Sequence, residues 1–124
     1  MNVVLWIIAS VLAVAFAASG LLKLLRPKEQ LKAQGMGWVD DWDGRTVKLI
    51  GALEVLAAIG LILPAALDIA PILVPLAATG LAIIMVGAII VHARRKETPV
   101  VIMNVVLLIL TLLVAWGRFG PYSF

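Results

Sequence analysis

The sequence predicts an all-α polytopic membrane protein, with four transmembrane helices packed as a bundle in one domain spanning residues 1–124. Three observations lead there. Hydrophobic residues make up 64% of the chain and charged ones 14%, with a mean hydropathy of +1.15, too little polar surface to face water. Four apolar stretches are long enough to cross a hydrocarbon core about 30 Å thick at about 1.5 Å per helical residue. Short strands alternating apolar and polar residues are absent, which excludes a transmembrane barrel.

The first span runs from Val3 to Leu25 and is followed by Pro27. Ala15-Phe16-Ala17 imitates a signal-peptidase site, but the apolar run is too long for a signal core and lacks a basic segment before it, so it reads as a retained span. The second runs from Thr46 to Pro64, with Pro64 expected to close it. Pro71 opens the third, Ile72 to Ala93, and Pro75 one turn inside is expected to mark a local distortion. Thr98-Pro99 opens the fourth, Val100 to Trp116, since a first-turn proline lacks only an amide that would go unused.

The loop 26–45 is the longest polar segment. Pro27-Lys28-Glu29 through Ala33 has helix-start chemistry and Gly35-Met36-Gly37 breaks it. Asp40, Asp41 and Asp43 fit capping of the second span; a calcium loop would need a longer ladder of ligands ending in a distal Glu.

Nine of the ten basic residues lie in or flanking the loops between spans one and two and between spans three and four, leaving Arg118 alone on the other side. This asymmetry puts both loops in the cytoplasm and both termini outside. The pI near 9.7 is thus a topology signal with some attraction to anionic lipid, and no nucleic-acid partner is expected. Trp6 and Trp116 would lie in the outer aromatic belt, Trp38 and Trp42 in the inner one.

Ionisable groups inside spans are costly unless paired or hydrated, so each is a candidate for function. Glu54 lies near the middle of span two, with Gly51 and Ala58 on its helix face, where a helix or ligand can come close. Two readings stand for it: a proton carrier or headgroup partner, and a structural ion pair. Lys23 near the inner end of span one is its nearest partner by depth, and Ser19, one turn earlier on the same face, can join the network. His92, the single histidine, ends span three; alone it cannot make a metal or haem site, so no metal is expected and an interfacial hydrogen bond is. Asn104 enters span four from the same side and, with Thr111 and Arg118, makes a stripe of period seven that should turn inward. By depth, Glu54, Lys23, Ser19, His92 and Asn104 outline a ligand pocket open to the cytoplasmic leaflet.

Ala9, Ala13 and Ala17 in span one, and Ala77, Gly80 and Gly87 in span three, are seams for close packing within the bundle or in a homo-oligomer. With no cysteine there is no thiol, disulfide or Fe–S chemistry. Nucleotide-binding loops, serine-hydrolase elbows and zinc-protease motifs are missing as well, so the sequence contains no self-contained catalytic constellation and points away from independent catalysis.

The chain resembles the DoxX-like family of small four-helix membrane proteins. The resemblance rests on Ala18-Ser19-Gly20-Leu21-Leu22-Lys23-Leu24, on Leu49 through Pro64 with its central Gly51-Ala52-Leu53-Glu54, on Pro75 through Leu81 running to Met85 and His92-Ala93-Arg94-Arg95, and on Trp116-Gly117-Arg118-Phe119. It implies an accessory membrane subunit, or a module binding quinone or a lipid-like ligand, in a redox system of the plasma or inner membrane. Quinone is the implied cofactor; membrane lipids and a redox partner protein are the implied partners. Two other readings compete: a small proton-linked transporter or lipid-binding protein in which Glu54 titrates, and a structural scaffold without chemistry of its own.

Overall fold

The computed structural model describes residues 2–26, 29–30 and 44–123. Four long helices stand out among the described residues: α1 (Asn2–Leu25), α2 (Gly44–Ala66), α3 (Leu73–Arg94) and α4 (Thr98–Phe119). Each is long and apolar enough to cross a membrane, and there is no strand among the described residues. The readings of Pro27 through Ala33, of Gly35-Met36-Gly37, of Asp40, Asp41 and Asp43, and of Trp38 and Trp42 concern a stretch that lies largely outside the described residues.

Helix α1 packs chiefly on α2, and α3 on α4; the α2–α3 and α1–α4 contacts close the ring. Leu5, Leu12 and Phe16 of α1, Ala58 and Leu61 of α2, Val74, Ala78, Leu81 and Met85 of α3, and Val114 and Ala115 of α4 form one buried cluster. The other helix faces remain apolar: Val14, Leu25 and Ile83 are each about 70% exposed or more, an arrangement stable only with lipid as solvent. The chain is therefore a four-helix membrane protein.

Two proline expectations need correction. Pro64 does not close α2, which continues to Ala66. Pro64 gives up the amide bond to Gly60 O and its ring crowds that carbonyl, yet the helix runs on past it and Leu67 N still donates to Leu63 O at 2.9 Å. Pro75 marks no distortion. It is the third residue of α3, inside the first turn, where an amide has no helical acceptor, while Leu73 N and Val74 N bond back to Ala70 O and Pro71 O.

Helices α2 and α3 end in the same way. Beyond α2, Asp68 N donates to Ala65 O and Ile69 N to Pro64 O; beyond α3, Lys96 N donates to Ala93 O and Glu97 N to His92 O. Each is a Schellman closure, whose pivot needs positive φ; Asp68 (52°) and Lys96 (58°) occupy it where glycine is usual.

The small-residue seams divide. Ala9 is buried and Ala13, Ala17 and Ala77 pack against the core, whereas a methyl at Gly80 or Gly87 would meet nothing within 4 Å.

Candidate functional site

Helices α1 and α2 cross where neither has a side chain. A Cβ on Gly20 would stand 2.5 Å from Gly51 O and 2.7 Å from Val55 Cγ2; one on Gly51 would stand 2.7 Å from Gly20 O and 2.8 Å from Lys23 Cβ. The two backbones touch, and that closeness sets the reach of the charged side chains one turn further along each helix.

At this crossing Lys23 Nζ donates to Glu54 Oε1, forming a buried salt bridge, and also to Ser19 Oγ at 3.0 Å. Glu54 is 1% exposed and Lys23 8%. A lone charge at such depth would cost several kcal/mol, so each residue makes the other tolerable. Among the described residues Glu54 makes no further hydrogen bond, and its carboxylate keeps acceptor capacity at the second oxygen. Just beyond, Lys48 Nζ donates to Leu24 O at 2.8 Å and satisfies one terminal carbonyl of α1.

The structure thus unites three sequence candidates, Ser19, Lys23 and Glu54. His92 belongs to a second cluster at the α3–α4 turn, where its Nδ1 lies 3.0 Å from Glu97 Oε1 and Arg95 Nε donates to that oxygen at 3.2 Å. An ionised carboxylate only accepts, so Nδ1 carries the hydrogen. The hydrogen bond from His92 is the main cause that holds the Glu97 carboxyl below its ordinary range; burial opposes this, and the positive charge of His92 and Arg95 adds to it. Glu97 was not among the sequence candidates, because an acidic residue between two helices reads as solvated.

Asn104, Thr111 and Arg118 are all buried, as their period-seven stripe implies. Thr111 Oγ1 donates to Leu108 O, and Arg118 Nη1 donates to Asn2 Oδ1 at 2.7 Å and Tyr122 O at 2.9 Å, tying α1 to the end of α4. Asn104 Nδ2 is the single buried side-chain nitrogen or oxygen among the described residues with no hydrogen-bond partner.

Chemically, the α1–α2 site offers an ammonium and a hydroxyl as donors beside a carboxylate, in apolar surroundings. Such a set suits an uncharged headgroup with carbonyl or hydroxyl oxygens. No curated protein and no solved structure matches the chain. The sequence profile of the DoxX-like family, however, matches residues 7–114, a stretch that contains Ser19, Lys23, Glu54, His92 and Asn104. With four membrane-spanning helices and a match over most of its length, the chain belongs to the DoxX-like family.

Proposed function

We propose that this DoxX-like protein is a ligand-binding module of a redox system in the plasma or inner membrane, holding the headgroup of a quinone or similarly built lipid-like molecule for a partner protein that carries out the electron transfer. The observation that carries this reading is the Lys23–Glu54 pair, buried within the spans yet with only one carboxylate oxygen engaged. The donor set fits: Lys23 Nζ and Ser19 Oγ can donate to quinone carbonyls, and Glu54 can accept from a quinol hydroxyl. Asn104, with its buried and unmatched amide donor, is a further group proposed to face the ligand. His92 is proposed to act at the rim, oriented by Glu97.

A second reading has its own support. Lys23 Cβ lies against Gly51, so the pair and the glycine crossing form one joint, as in a scaffold without a ligand. Purification in mild detergent, solvent extraction and mass spectrometry separate the two readings, with Glu54→Gln and an unrelated membrane protein in parallel. Stoichiometric quinone in the wild type, depleted in Glu54→Gln, is the expected result. Bulk phospholipid alone, identical in all three samples, would overturn the ligand reading in favour of the scaffold.

A further inference from the structure

A different face of α1 has a feature that the Lys23–Glu54 site does not use. Ala18, Leu21, Leu22, Leu25 and Arg26 line an apolar groove of about 360 Å³, open to the outside of the bundle. Its origin is local: Ala18 is small, and Leu21, Leu22 and Leu25 stand three, four and seven residues on, so the larger side chains rim a notch on one helix face. From Ala18 to Leu25 the groove extends about 10 Å along the axis. Leu21 and Leu25 are 45% and 76% exposed, so nothing in the bundle covers it.

The end of the groove is charged. Arg26 follows the last residue of α1 and is exposed, with no hydrogen-bond or ion-pair partner for its guanidinium among the described residues. An apolar channel running into the bilayer and capped by a cation at the membrane surface matches a molecule with an acyl chain below an anion. We infer that this groove is a docking site for one anionic phospholipid, its chain against Ala18 and Leu22 and its phosphate on the Arg26 guanidinium, which can take two phosphate oxygens at once. A zwitterionic lipid carries the same phosphate but adds an ammonium that the Arg26 guanidinium repels. The site therefore discriminates by headgroup charge, about fivefold for one well-placed basic residue at the surface. It is independent of any ligand at Lys23 and Glu54, which lie on the face turned to α2.

Phosphatidylglycerol and phosphatidylcholine with identical chains, offered in equal amounts to the detergent-purified full chain, test this by mass spectrometry of retained lipid. The wild type should retain phosphatidylglycerol about fivefold over phosphatidylcholine. Arg26→Gln should abolish the preference, and Ala18→Leu, which fills the notch, should lower retention of both lipids. Arg94→Gln, at the other basic turn, should leave the preference intact. Equal retention by the wild type, a preference that survives Arg26→Gln, or an equal loss in Arg94→Gln would overturn the site in favour of diffuse charge. Displacement of the lipid by glycerol phosphate would overturn it in favour of a simple anion site.

Discussion

Glu97 Oε1 lies 3.0 Å from His92 Nδ1, across the turn in which Glu97 N also donates to His92 O. Side chain and backbone thus close the same loop twice. Because Glu97 titrates below its ordinary value when folded, its contribution is fully present above that value and is lost as pH falls through the lowered folded value. Thermal midpoints in detergent between about pH 7 and about pH 3 should fall more steeply for the wild type than for Glu97→Gln at the acid end. Parallel curves would show that the contact contributes nothing.

Removing one partner of the buried pair should cost more than removing both. Glu54→Ala or Lys23→Met alone strands a charge and should destabilise the bundle by about 3–5 kcal/mol, whereas Lys23→Met with Glu54→Leu should recover most of that loss. Denaturant titration of the four proteins measures the coupling; additive losses would contradict it.

Gly51→Ala should push α1 from α2, since its methyl would meet Gly20 O at 2.7 Å and Lys23 Cβ at 2.8 Å. The overpacking cost is about 1–3 kcal/mol. Gly80→Ala, with open space around its Cβ, should be neutral or slightly stabilising. Equal unfolding midpoints for the two variants would deny the crossing its tightness.

Lys96 adopts φ 58° at the pivot of the α3 closure. Lys96→Gly should relieve that conformation and stabilise the folded chain by about 0.5–1 kcal/mol, while Arg95→Gly, at φ −88°, should gain nothing. A loss of stability in Lys96→Gly would mean that the lysine side chain contributes more than the backbone strain removes.

Much of this architecture was legible because lipid imposes simple rules. Uninterrupted hydropathy gave the four helices, and the need to neutralise a carboxylate in the membrane pointed from Glu54 to Lys23. The inward turn of Asn104, Thr111 and Arg118 followed from helical period alone. What stayed hidden depended on which helix meets which. Gly51 was visible as a gap beside Glu54, but its counterpart Gly20 can be recognised only once α1 and α2 are side by side. Helix ends were obscured for a different reason: Asp68 and Lys96 make closures that usually display glycine, and Pro64 resembles a terminator although α2 runs on past it to Ala66. The sequence placed Lys23, His92, Asn104 and Glu54 around one pocket by depth. The hydrogen bonds join Lys23 to Ser19 and Glu54 across α1 and α2, and His92 to Glu97 at the α3–α4 turn, partnerships of azimuth that depth does not contain.

The pairing of Lys23 with Glu54 also bears on how the chain is made. The ammonium belongs to α1 and the carboxylate to α2, so the two charges emerge from the ribosome in succession and can enter the bilayer already neutralised as a hairpin. Nothing in α3 or α4 is required for that exchange, and the first two helices should be joined before the third is synthesised. Site-specific cross-linking of stalled nascent chains would register an α1–α2 contact at that stage, and its loss in Glu54→Leu would mark the ion pair as the step that commits the first hairpin to the membrane.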